Sequence, residues 1–145
     1  MAKFDSAEKL NLADIEITDV MTGDRDKRMF LYYQLIHSLK KAERVDIIVS
    51  FLMESGVKML LRELGNALDR GAKIRILTGN YLGITQPSAL YLIKQKLGDR
   101  VDLRFYNEKN RSFHPKSYIF HYADYSEIYI GCLLYTSPSP RDGAT

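Results

Sequence analysis

The stretch VDIIVSFLMESGVKMLLRELGNALDRGAKIRILT, residues 45–78, decides the fold. It opens with Val45 to Leu52, an apolar run short enough for a buried strand. Ser55 is placed to cap a helix. Val57, Leu60, Leu61, Leu64 and Leu68 then recur at i, i+3, i+4, i+7 and i+11, one face of that helix, and Gly71 stops it. Lys73 to Thr78 alternates as a second strand. Two strands joined by a helix of this length predict parallel neighbours with a right-handed crossover.

Working outward, the same grammar continues. Before the first strand, Asp26 to Arg44 has helical spacing, with Met29, Tyr32, Ile36 and Leu39 on one face. After the second strand, Gly79 to Gln86 reads as a loop. A helix follows, with Thr85 or Gln86 near its cap, Pro87 in its first turn, an apolar stripe of Leu90, Ile93 and Leu97, and Gly98 at its end. Val101, Leu103 and Phe105 alternate in a third strand. Ser117–Tyr122 and Glu127–Ile130 read as a hairpin around Ala123 to Ser126. The expected fold is α/β: a mixed, mostly parallel sheet with flanking helices. Residues 1–24 are polar, with the alternating piece Ile15-Glu-Ile-Thr18, and read as an arm or leading edge strand.

Composition narrows the class without deciding it. The chain has 145 residues, 46% hydrophobic and 27% charged, the balance of one globular domain. The net charge of +3 is compatible with nucleic acid but does not argue for it. No apolar run approaches the roughly 20 residues of a membrane span, and the first residues lack a signal core, so the expected setting is cytoplasmic with no membrane partner. The single Cys132 has no internal disulfide partner. There is no cysteine-histidine grouping of the zinc type.

The chemistry-bearing feature is His114-Pro115-Lys116, after the polar loop Asn107–Ser112 and before the apolar Ser117-Tyr-Ile-Phe120. A histidine and a lysine two apart on an extended backbone project to the same face. One can attack or protonate at phosphorus while the other neutralises a phosphate oxygen. Lys109 and Arg111, just upstream, are candidates for steering phosphate, with Glu108 offsetting part of their charge. Gly79-Asn80-Tyr81-Leu82-Gly83 lacks the phosphate-loop signatures and reads as a strand-to-helix loop near the sheet edge where ligands collect. Lys40, Lys41 and Arg44 read as a helix C-terminal charge cluster. Of the ten tyrosines, Tyr32, Tyr91 and Tyr118 sit at core spacing, so packing is the expected role.

Phe113-His-Pro-Lys-Ser-Tyr-Ile-Phe120 followed by Glu127-Ile-Tyr-Ile-Gly131, with Ile48-Val-Ser-Phe51 and Ile76-Leu-Thr-Gly79 on the earlier strands, resembles the phospholipase D superfamily over residues 28–131. It is most similar to the nuclease-like branch found at the front of some bacterial DEAD/DEAH-box helicases. The resemblance implies a phospholipase D-like domain over residues 25–131. It implies a phosphodiesterase or nuclease acting on nucleic acid, DNA first, without metal or other cofactor. The implied catalytic residues are His114 and Lys116, and the implied substrate-binding residues are Lys109, Arg111, Ser50, Thr78 and Gly131. It also implies two-step displacement through a phosphohistidine, with lysine stabilising the charge on the equatorial oxygens. That mechanism uses two His-Lys units, and this chain has one: neither His37 nor His121 is followed by lysine two positions on. A homodimer is the simplest way to supply the second. A helicase domain in the full-length protein is the implied larger context. Two positions depart from the superfamily pattern. His121 stands where an Asp often completes His-x-Lys-x4-Asp, and Gly131 is followed by Cys132-Leu133-Leu134 rather than Ser-x-Asn. Residues 132–145, rich in Pro and Ser, resemble translated sequencing-adapter read-through, which makes them a non-native or disordered tail and the domain incomplete after Gly131. A DNA-binding module and a dimerisation module of the same fold stand beside the enzyme reading.

Overall fold

The computed structural model describes residues 31–107 and 110–131. The arm at 1–24, the start of the first helix and the tail at 132–145 lie outside the described residues, as does Lys109.

The elements run α1 (Leu31–Leu39), β1 (Arg44–Val49), α2 (Glu54–Asp69), β2 (Lys73–Gly79), α3 (Pro87–Leu97), β3 (Val101–Tyr106), β4 (Lys116–His121) and β5 (Ser126–Ile130). A short 3-10 turn, Tyr81–Gly83, lies between β2 and α3. Among the described residues the strands form one sheet in the order β3-β2-β1-β4-β5. The β1–β2 and β2–β3 pairs are parallel. The β1–β4 and β4–β5 pairs are antiparallel. The sheet is therefore mixed, with equal numbers of the two pairings, and not mostly parallel. The reason lies in residues 107–115. That connection is shorter than the dozen or more residues of a parallel crossover, so β4 returns antiparallel, on the far side of β1.

One face of the sheet is the core. Val45, Ile47 and Val49 of β1, Ile74 and Ile76 of β2, Val101 of β3, and Tyr118 and Phe120 of β4 are buried against Leu35, Leu39, Val57, Leu64, Ala67, Ala89, Ile93 and Leu97 of the three helices. Each fully buried aliphatic or aromatic side chain contributes about 1.5–3 kcal/mol relative to exposure. The register explains the single face, because in-register partners such as Val45, Ile74 and Phe120 share one side of the sheet.

Local signals were met in different ways. Gly71 and Gly98 adopt φ of +100° and +61° just beyond α2 and α3, conformations open to glycine at little cost. Pro87 occupies the first turn of α3, with Gln86 at the N-cap. Ser55 does not cap α2. That helix begins one residue earlier, Met53 is at the N-cap with no side-chain bond, and the Glu54 N–H donates to Gln86 Oε1 at 2.8 Å. The cap thus comes from the loop after β2. Arg70, at the end of α2, donates through Nη2 to the carbonyls of Leu39 and Ala42, both at 2.9 Å, satisfying groups left open at the end of α1. Arg70 makes these contacts in place of the Lys40–Lys41–Arg44 cluster. Arg44 instead begins β1. In α1 the buried positions are Leu35, Ser38 and Leu39, a stripe rotated from the expected one. In α3, Ala89 is buried where Leu90 was expected, and Tyr91 is 75% exposed, so its spacing did not place it in the core.

Candidate functional site

The site lies at the end of the sheet where β1 and β2 finish and β4 starts. Because β4 runs antiparallel to β1, its first residue, Lys116, pairs with the last residue of β1, Val49. The Ser50 N–H donates to the Pro115 carbonyl at 2.8 Å, extending this pairing by one step. The Tyr81 N–H donates to the Ser50 carbonyl at 3.3 Å and draws in the loop after β2. The Leu52 N–H donates to Thr85 Oγ1 at 3.1 Å, and Thr85 Oγ1 donates to the Gly79 carbonyl. Two chain segments remote in sequence, the end of β1 and the loop after β2, are so held around His114-Pro115-Lys116.

Lys116 Nζ–H donates to His114 Nε2 at 2.7 Å. Lys116 is 5% exposed, while His114 is exposed. The lysine stem is fixed by packing, and its head meets an imidazole that faces outward. The Tyr81 ring stands against the imidazole, with centroids 4.3 Å apart and planes tilted by 43°. On the other side of β4, the Gly131 N–H donates to the Lys116 carbonyl at 3.0 Å. An anionic ester oxygen that takes over the lysine proton donor leaves the Nε2 lone pair free to attack.

The remaining residues named from the sequence fall in several places. Thr78 and Lys116 both pair with Val49, on opposite sides of it, so a strand separates them. The hydroxyls of Ser50 and Thr78 are fully buried and have no hydrogen-bond partner. Both are thus shut away from a ligand arriving at His114 in this conformation. Arg111 is exposed and lines a groove of about 440 Å³ beside His114.

That groove was not read from the sequence beyond its loop. Asn80 and Tyr81 line it from the end of β2, Tyr106 and Asn107 from the end of β3, and Asn110 and Phe113 from the approach to β4. Tyr106 and Phe113 stack at 4.7 Å and 24°. Gly79 makes the approach possible, because a Cβ there would stand 2.8 Å from Phe113 Cδ1. The available signal was positional: both loops follow strand ends at the ligand-bearing edge.

His121, at the position where an Asp was expected, lies at the opposite end of β4, about 16 Å along the strand from Lys116. There it joins a separate polar cluster. Its Nε2 is 3.0 Å from Asp46 Oδ2, its Nδ1 is 2.9 Å from Ser126 Oγ, and Arg75 Nε is 2.6 Å from Asp46 Oδ1. Burial pushes the Asp46 carboxyl up, but the hydrogen bonds from Arg75 and His121 and the charges of Arg75 and Arg44 outweigh it, so the net shift is downward. This cluster ties β1, β2, β4 and β5 together on the face away from the helices.

Among the described residues no group of three or more His, Cys, Asp or Glu is arranged to hold a metal ion, and no helix is long and apolar enough to cross a membrane. No curated protein matches the chain. The family described as cardiolipin synthase, PLD-like domain matches residues 35–135, more than half of the chain, from within α1 through β5 and including the His114–Lys116 contact. The chain therefore belongs to the phospholipase D-like domain family.

Proposed function

We propose that this domain is a phosphodiesterase acting on nucleic acid through His114 and Lys116. The observation that carries the reading is the 2.7 Å contact between a packed ammonium and an exposed imidazole at the rim of the sheet. In the proposed reaction His114 Nε2 attacks phosphorus. The N–P bond forms as the bond to the leaving oxygen breaks, and a second histidine delivers a proton to that oxygen. That second histidine then takes a proton from water, whose oxygen attacks phosphorus and releases His114. Lys116 Nζ–H hydrogen-bonds the equatorial oxygens throughout. The second histidine comes from a second copy of the chain, since these 145 residues contain one His-x-Lys. Arg111, and Lys109 outside the described residues, steer the diester toward the site. Ser50 and Thr78 are too deeply buried to touch the diester in this conformation, and Gly131 acts through its backbone beside Lys116. The similarity to the helicase-associated branch supports a larger helicase-type protein as the natural setting.

Cleavage of DNA by a complete version of the domain, with chelator present, tests this. Cleavage that disappears in His114→Ala is expected; unchanged cleavage removes the proposal. A second reading, binding of DNA without cleavage, is favoured by one observation: these residues hold one His-x-Lys where the two-step displacement uses two. Salt-dependent DNA binding that persists in His114→Ala and falls in Arg111→Ala, with no cleavage in either, is the outcome that reading expects.

A further inference from the structure

We infer that the groove beside His114 is a nucleobase subsite, so the nucleic acid taken by this domain is single-stranded next to the scissile phosphate. The inference rests on the phosphodiesterase reading for the position of that phosphate, and on the groove itself for the rest. A volume of about 440 Å³ is in the range of small-ligand sites.

The groove pairs rings with amides. Tyr81 and Tyr106 line it, and each has one ring contact already made, to His114 at 4.3 Å and to Phe113 at 4.7 Å. Rings braced in this way offer a stacking surface that loses little freedom when a base arrives. Asn80, Asn107 and Asn110 line the same groove and are exposed. A side-chain amide carries donor and acceptor together, the pairing that matches the edge of a base. Three of them around braced rings fit the Watson–Crick edge of an unstacked base, and in a duplex that edge is occupied. Arg111 lines the same groove and supplies a cation for the phosphate next along the strand.

Leu82 adds an independent observation. It also lines the groove, is 77% exposed although apolar, and has φ of +53°, the one positive-φ residue other than glycine among those described. A bulky side chain held in that region is strained, and such strain persists where the surroundings impose it, most often at functional sites. An apolar wedge projecting beside a base-sized groove is suited to parting stacked bases.

The test is equilibrium binding of the 145-residue chain to a short oligonucleotide, single-stranded and as the same sequence in duplex, in deoxy and ribo forms, with anionic lipid vesicles as a further arm. The expected result is at least about tenfold tighter binding of one of the single strands than of its duplex. The Asn80→Ala/Asn110→Ala double variant is expected to lose about tenfold on the single strand, with its circular dichroism melt unchanged. Leu82→Gly, suited to the positive φ, is expected to melt no lower than the parent yet to bind single strands more weakly. Equal or tighter binding of duplex, tighter binding of vesicles than of either strand, or a double variant that folds and binds as the parent does would overturn the subsite. Lys116→Met separates the two readings, since Lys116 does not line the groove: the subsite predicts that this variant keeps the single-strand preference, whatever becomes of cleavage.

Discussion

Lys116 and His114 meet at 2.7 Å with opposite exposures, the lysine 5% exposed and the histidine facing solvent. The contact joins a charge that the fold holds still to an imidazole that the solvent can reach. The lysine stem shares the sheet face of Val49, its partner in register. Burying an ammonium there works against stability, since desolvation of a charge is offset only by good partners.

Lys116→Met isolates that cost. Methionine keeps the length and most of the volume of the stem and removes the charge. The melting temperature is expected to stay level or rise, because replacing a buried charge with an apolar group of similar volume is often neutral or stabilising. Phosphodiester cleavage is expected to fall by about 10²–10³-fold, the usual loss when a donor to the developing charge is removed. A variant with full activity, or one that fails to fold, counts against the assignment.

Gly79→Ala tests the packing that shapes the groove. The added Cβ would stand 2.8 Å from the Phe113 ring, which is itself stacked on Tyr106. Overpacking of this sort costs about 1–3 kcal/mol. A lower midpoint in urea is expected, and a change in near-ultraviolet dichroism is expected as the Tyr106–Phe113 stack shifts. A silent substitution would show that Phe113 moves freely and that the groove has no fixed wall.

Asp46 makes the fold sensitive to acid. A carboxyl held below its ordinary value of 3.8 contributes stability that is fully present above that pH and is lost as pH falls through the folded value. Unfolding free energy is therefore expected to decline below a pH of about 4, and Asp46→Asn is expected to flatten that part of the profile. At neutral pH the same substitution leaves the buried side of Arg75 and His121 with a weaker partner and is expected to cost about 1–3 kcal/mol. Denaturant titrations across pH measure both effects. Parallel profiles for parent and variant would contradict this account of the cluster.

Local patterns in the chain carried the elements, and distance in the chain hid the rest. Alternation marked Lys73–Thr78 and Val101–Phe105 because each strand has one face on the core. It could not show that β3 is an edge of the sheet among the described residues, where Phe105 is 42% exposed. Nor could it show that β4 pairs with β1 rather than β3, since that choice depends on a contact between Val49 and Lys116, far apart in sequence. The cap of α2 was misread for the same reason: Gln86, which satisfies Glu54, lies 32 residues away. At the site, His114 and Lys116 were legible because two residues in an extended segment share a face whatever surrounds them. Tyr81 against His114, and the asparagines from two separate loops, become neighbours only once β1, β2, β3 and β4 are in place.

The most direct measurement is binding of orthovanadate, a phosphate mimic, to the 145-residue chain by titration calorimetry. The account predicts saturable binding in the parent that is lost in His114→Ala and in Lys116→Met while both variants remain folded. Binding that survives both substitutions, or a parent that binds no vanadate, would contradict it.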